Sequence, residues 1–274
     1  MTLFNARSVA NKLPELHQML YSVNKTCCYC ITETWLNDRL SNGLLDPQAM
    51  FTIFRDDRQR SRGGGVCLFI NKAVTAVRVD LHDKPPNIDM LCVDLLLGER
   101  YRVFVVYRPP ATDHDNDVNM TQLISCLERY MNHYGPTIIL GDFNCPNINW
   151  LTMLRPTEYV SQKLFDFAVC NGFIQCIRDP TRGDSILDLL LINDPLLLSN
   201  VEVTEPFSSS DHCIINADFV YDTLVQHGSL PSNSTIKRYN WKDGDYVAMS
   251  DYLRSVDWDK LNDRQHVECI PSRH

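Results

Sequence analysis

No stretch of about 18 apolar residues occurs in the sequence, and its longer apolar runs, such as residues 186–192, suit buried strands rather than membrane spans. No membrane partner is expected. The first seven residues lack the apolar core of a secretory signal, so an intracellular address is expected and the Asn-x-Thr triplets at Asn24 and Asn119 should stay unmodified. A Lys/Arg-rich import run is missing too, as is any internal repeat. Positive charge is in deficit: 26 Lys and Arg face 34 Asp and Glu, for a net charge of −8. That balance excludes holding nucleic acid by bulk charge and leaves only local clusters to do so. Cys27-x-x-Cys30 has no second Cys or His pair at ligand spacing, which argues against a zinc site, and the eleven cysteines sit mainly in apolar segments, as reduced core residues would.

What is present is an ordinary globular composition, 44% hydrophobic and 22% charged over 274 residues, enough for one large domain and an appendage. A short strand at 3–5 is followed by Leu13, Leu16, Leu20 and Val23 at helical spacing after Asn11, a candidate cap. Strand-like runs follow at 27–32, 51–55, 66–70, 90–96 and 102–107, then a helix over 118–134, a strand at 137–140, a helix over 158–171 and strands at 186–192 and 212–219. This interleaving suits two packed sheets flanked by helices better than a purely parallel sheet. Residues 228–235 read as a Gly/Ser/Pro/Asn linker, so a domain over 1–220 is expected, with 221–274 as linker and short segment. One basic cluster, Arg55, Arg58, Arg60 and Arg62 beside Gly63-Gly64-Gly65, is either a solvated loop or a phosphate-backbone contact.

Six places put polar residues at the ends of apolar strands, where a rigid scaffold can present them. They are Asn5; Glu33; Tyr107; Asp142 with Asn144; Asp188; and Asp211-His212. Singly, most have an ordinary reading as a cap or turn residue. Asp188 differs, because a carboxylate inside a seven-residue apolar run must be paired. His212 is the candidate partner, since a carboxylate fixes the tautomer of an imidazole and raises its basicity.

Asn5-Ala6-Arg7-Ser8, Ile31-Thr32-Glu33-Thr34-Trp35-Leu36, Val106-Tyr107-Arg108-Pro109-Pro110, Gly141-Asp142-Phe143-Asn144, Leu187-Asp188-Leu189-Leu190-Leu191 and Ser210-Asp211-His212 stand in the order found in the endonuclease/exonuclease/phosphatase superfamily. In detail they resemble the apurinic/apyrimidinic-like endonuclease domain of non-LTR retrotransposons. The resemblance spans about three quarters of the chain. It implies an α+β fold, a four-layer α/β/β/α sandwich of two mixed sheets flanked by helices, with the blocks gathered at one edge. It implies Glu33 as principal Mg²⁺ ligand, Mn²⁺ being a substitute, with Asp211 supporting and Asn5 placing metal and phosphate. Asp142, held by Asn144, would act on the attacking water; His212, paired with Asp188, would contact the phosphate; Tyr107 would stand on the phosphate side. Ser210, Thr181 and Arg108 would lie against substrate. One position departs from part of the family, whose members carry an acid two residues after the first asparagine where this chain has Arg7.

The function so implied is a Mg²⁺-dependent DNA endonuclease that nicks one strand and leaves a 3′ hydroxyl for target-primed reverse transcription. DNA would be its partner, with a reverse transcriptase supplied by a longer parent polypeptide, and access to DNA implies the nucleus. The region after 221 resembles the segment leading to that polymerase, and the chain itself is not expected to polymerise. Two alternatives stand beside this reading: a catalytically idle retrotransposon remnant, and a phosphatase or phosphodiesterase of the same fold acting on small phosphorylated substrates.

Overall fold

A computed structural model describes residues 1–22, 27–58, 63–110, 115–133, 135–220 and 246–255. The chain divides into two compact units, Met1–Leu230 and Pro231–His274. Of the second, one helix is described, α5 (Tyr246–Ser255). Among the described residues no helix is long and apolar enough to cross a membrane.

Among its described residues the first unit holds twelve strands: β1 (Thr2–Asn5), β2 (Cys28–Thr32), β3 (Phe51–Asp56), β4 (Val66–Asn71), β5 (Thr75–Arg78), β6 (Asp89–Leu97), β7 (Glu99–Tyr107), β8 (Thr137–Asp142), β9 (Ile174–Gln175), β10 (Asp188–Ile192), β11 (Leu198–Pro206) and β12 (Cys213–Phe219). Its helices are α1 (Leu13–Leu20), α2 (Asn42–Leu45), α3 (Asp115–Tyr130) and α4 (Tyr159–Cys170). One six-stranded sheet runs β11-β12-β1-β2-β4-β3, the other β5-β6-β7-β8-β10-β9. Both are mixed, because β1 pairs β2 and β7 pairs β8 in parallel while the other pairings are antiparallel.

The period of two explains the layers. Ile138 and Leu140 join an apolar cluster with Leu3, Cys28, Cys30, Leu68 and Ile215, so it lies between the sheets. Ile139 points the other way, into a cluster with Leu123 and Leu127 of α3 and Leu164 and Phe167 of α4. Phe4, Tyr29 and Ile31 turn outward from the first sheet onto Leu16 and Leu20 of α1. Central strands buried on both faces read as continuous apolar runs, which is why Thr137–Asp142 and Asp188–Ile192 are legible as strands. The result is the four-layer α/β/β/α sandwich.

Several local expectations change. α1 begins after Lys12 rather than after an Asn11 cap, and Val23 lies outside the described residues. α3 starts earlier and stops at Tyr130. β10 begins at Asp188 rather than at 186, because the Thr181 hydroxyl takes the backbone N–H groups of Leu187 and Asp188 and the ladder starts beyond it. None of the ten described cysteines is in a disulfide with another described residue, but Cys27 and Cys170 are exposed and Cys176 and Cys213 half-buried: they fall at element ends, where the chain meets solvent. In the basic cluster, Arg55 is paired with Asp57 and Arg58 with Asp89, while Arg60 and Arg62 lie outside the described residues. Phe54-Arg55-Asp56-Asp57 formally spells a polymerase-like Phe-x-Asp-Asp, yet Asp56 binds Lys84 and the Met90 N–H and Asp57 binds Arg55, so both carboxylates are structural.

Candidate active site

Strand register assembles the site. In the first sheet Asn5 ends β1 opposite Thr32, so Glu33 follows directly beside it. In the second, Tyr107 ends β7 opposite Asp142 at the end of β8, and Asp188 opens β10 opposite the same Asp142. His212 immediately precedes β12, which pairs with β1. Parallel strands that end together place their last side chains at one edge, and here the two sheets bring those edges face to face.

Asn5, fully buried, links the two sheets: its Nδ2 donates to Glu33 Oε1 at 2.9 Å and to Asp142 Oδ2 at 3.0 Å. Ser210 Oγ donates to the Asn5 carbonyl at 2.7 Å and accepts the His212 N–H at 3.2 Å, tying the β12 entry to β1. Asp142 Oδ1 accepts the backbone N–H of Asn144 at 3.1 Å, while the Asn144 side chain donates instead to the Arg108 carbonyl at 2.9 Å. His212 Nδ1 lies 2.7 Å from Asp188 Oδ2, and its Nε2 lies 4.0 Å from Asp142 Oδ2. Asp188 is fully buried, so the expected carboxylate–imidazole contact is present. Thr181 supports it from behind, through the Asp188 N–H.

The electrostatics follow from crowding. Burial and the neighbouring charge of Asp188 hold the Asp142 carboxyl well above the usual carboxylate range, with His212, the Asn144 N–H and Asn5 only partly offsetting them. For His212 burial works downward, but the hydrogen bond and charge of Asp188, with Asp142 and Asp211, leave the imidazole raised. Burial and the charges of Glu33 and Asp142 push the Tyr107 hydroxyl up. Asp188 Oδ1 is buried with no hydrogen-bond partner. Glu33, Asp142 and Asp188 thus concentrate more negative charge than His212 can balance, and this donor set of hard oxygens fits a divalent cation. Asp142, Asp188 and His212 present ligand atoms within 4.8 Å of one another. His212 and Asp188 Oδ2 already engage each other, and Glu33, only partly buried and with the Asn5 amide beside it, is the carboxylate most open to a cation.

Backbone strain is concentrated here. Glu33, Trp35 and Asn144 hold φ of 48°, 53° and 47°, and Arg7 and Ser8 hold 42° and 84°, left-handed values that non-glycine residues resist. The Gly64 and Gly65 carbonyls accept the Trp35 and Thr34 N–H groups and pin the Glu33 turn. At Gly64, with φ of 71°, a Cβ would fall 2.4 Å from Arg58 and Asp89.

Asp211 is not drawn into the cluster. Its carboxylate is held by Arg7 and Arg182, and their charges outweigh burial and keep it below the usual range. Arg108 is buried, its Nη1 donating to the Phe143 and Asn144 carbonyls at 2.8 and 3.2 Å, so it braces the loop after β8 while lining a cavity of about 720 Å³ with Asn144, Arg182 and Leu187. Sequence reasoning gave no site role to Trp35 or Arg182, and named Arg58 only within the basic cluster and Arg7 only as a departure. Trp35 Nε1 donates to Glu33 Oε2 at 3.3 Å. Arg58, anchored on Asp89, lies over the Tyr107 ring at 5.5 Å. Arg7 and Arg182 converge on Asp211. Trp35 sits inside a quoted block and was legible there; the arginine contacts are long-range and carry no local signal.

This four-layer fold is shared with solved nucleases and phosphatases. Residues 101–216, from β7 to β12, match the family described as endonuclease-reverse transcriptase. The chain superposes on the endonuclease domain of TRAS1, a telomere-specific non-LTR retrotransposon, with a TM-score of 0.56 at 15% identity, covering 80% of this chain and 97% of that one. The 3′ phosphatase NExo from Neisseria, bound to product DNA hairpin, gives 0.62 at 16% identity over 80% and 98%. An AP endonuclease from Archaeoglobus fulgidus gives 0.60 at 15% over 80% and 98%. At such identities the likeness speaks for the fold. No curated protein sequence matches the chain.

Proposed function

We propose that the chain hydrolyses phosphodiester bonds in DNA with the aid of a divalent cation, nicking one strand to leave a 3′ hydroxyl. The observation that carries this reading is the Asn5 amide bridging Glu33 and Asp142 beside the His212–Asp188 pair, which sets a metal-type carboxylate, a base and a phosphate-facing imidazole within one small volume. The family matched over 101–216 and the retrotransposon neighbour support DNA as substrate and a reverse transcriptase as the later user of the 3′ end.

Glu33 with Asn5 would hold the cation, Mg²⁺ or its substitute Mn²⁺, while Asp211, paired with Arg7 and Arg182, would hold those arginines instead of the ion. When bound, the cation neutralises charge on the phosphoryl oxygens. Asp142, raised by burial and by Asp188, is a stronger base than an ordinary carboxylate and takes the proton of the attacking water at Oδ2. The water oxygen bonds to phosphorus, the P–O3′ bond breaks, and a proton from solvent completes the 3′ hydroxyl. His212 donates Nδ1–H to Asp188, which orients the ring and turns Nε2 toward a non-bridging phosphate oxygen. Tyr107, fixed between Arg58 and Glu33, stands on the phosphate side. Ser210 and Thr181 position Asn5 and Asp188. We infer further that the catalytic domain spans 1–220 and that 221–274 leads toward a polymerase of a longer polypeptide, with the nucleus as place of action.

Relaxation of supercoiled plasmid tests this. Nicking that requires both Mg²⁺ and Glu33 is expected, lost in EDTA and in Glu33→Ala. Absence of nicking under all conditions would sink the reading. Release of phosphate from 3′-phosphorylated ends instead would favour the phosphatase alternative, which the NExo likeness supports.

A further inference from the structure

Two arginines meet one carboxylate at the rim of the site. Arg7 Nη1 lies 3.0 Å from Asp211 Oδ1, while Arg182 Nη2 and Nε lie 2.8 and 2.9 Å from Oδ2. The trio carries a net charge of +1 on a chain whose total is −8. It is open to solvent, with side-chain exposures of 47%, 41% and 39% for Arg7, Arg182 and Asp211. Each guanidinium has five N–H donors, and Asp211 takes only one or two atoms from each, so donors are left over on both.

Placement gives these donors a target. The Arg7 N–H donates to Asn5 Oδ1 at 3.1 Å, Asp211 adjoins His212, and Arg182 lines the cavity that also holds Asn144 and Leu187. The pair therefore reaches from the end of β1, beside Asn5, to the β9–β10 connection, with His212 next to the carboxylate they share. Exposed ion pairs contribute little to stability, and Arg7 holds a left-handed φ of 42°, so stability is a poor reason for the arrangement. Guanidinium forks match phosphate oxygens in geometry and charge.

We propose that Asp211 holds Arg7 and Arg182 as a two-arginine clamp for a backbone phosphate of the bound strand, flanking the phosphate that is cut; this rests on the reading of DNA as substrate. The clamp is how an acidic protein grips a polyanion: the positive charge is local, pre-oriented and placed where the strand must pass. Asp211 is then a positioning residue, in place of a metal ligand.

The test is equilibrium binding of duplex DNA to the full chain in EDTA, across about 50 to 200 mM salt. Arg7→Ala and Arg182→Ala should each lower the slope of log affinity against log salt by about 1, while Arg7→Lys keeps the slope. Nicking by the alanine variants should show a raised KM with kcat largely retained. Asp211→Asn should leave the Mg²⁺ concentration for half-maximal nicking in place. A slope unchanged by both alanine substitutions, in a wild-type chain that binds and nicks, overturns the clamp alone. A shift of about tenfold or more in Mg²⁺ requirement for Asp211→Asn returns that carboxylate to the metal and overturns its role here. A wild-type chain that neither binds nor nicks DNA overturns the reading of the substrate and the clamp with it.

Discussion

Asn5 is the residue on which the site turns, because one amide group serves two carboxylates that belong to different sheets. The carboxylates should separate cleanly under mutation. On the proposed role of Glu33 as cation ligand, Glu33→Ala nicking should fall to the level seen in EDTA, a comparison made on the same plasmid. Asp142→Asn keeps the shape of the side chain and its contact with the Asn144 N–H but cannot take a proton; kcat should fall by about 10²-fold or more with DNA affinity nearly unchanged. Asp188→Asn leaves His212 a weaker partner and an uncertain tautomer. Its kcat should also fall by on the order of 10²-fold, whereas full activity would show that the buried pair is structural only.

At the scale of elements, Gly141 lets β8 run beside β7. Its φ is 144°, and a Cβ there would sit 1.8 Å from the Val106 carbonyl oxygen, backbone that cannot step aside. Gly141→Ala should destabilise the fold by about 2–5 kcal/mol, measured by urea denaturation, and displace Asp142 with it. Glu158 caps α4 by accepting the Val160 and Ser161 N–H groups at 3.1 and 2.9 Å. Burial alone would raise its carboxyl, but those hydrogen bonds and the charge of Arg108 bring it below the ordinary value of 4.5. A depressed folded-state value means the stabilisation is full above the unfolded value and fades as pH falls through the folded one. Glu158→Ala should therefore cost about 1 kcal/mol near neutral pH and progressively less in acid, a trend that denaturation at several pH values would check.

For the whole molecule, Asp142 and Asp188 crowd like charges in the interior, a cost to the fold that the proposed cation beside Glu33 would lessen. Saturating Mg²⁺, at about a hundredfold over its Kd, should stabilise the wild-type chain by about 2.7 kcal/mol. Calorimetry in Mg²⁺ and in EDTA would show the shift, which Glu33→Ala should largely abolish. An equal shift in the variant would place the ion elsewhere.

The central strands and their polar ends could be read from the chain because burial on both faces forces continuous apolar runs, and a carboxylate such as Asp188 inside one is conspicuous. What escaped were β5, β9 and β11, which lie at sheet edges: a strand with one neighbour needs less apolar surface, and Leu198–Pro206 alternates weakly around polar residues. Residue types at strand ends were therefore set by local sequence. That Asn5 bridges Glu33 to Asp142, that Arg58 covers Tyr107 and that Arg7 and Arg182 share Asp211 was decided only by tertiary structure. Partners across the site stand 28 to 205 positions apart in the chain, from Asn5 with Glu33 to Ser210 with Asn5, and no periodicity records a contact made by the packing of two sheets.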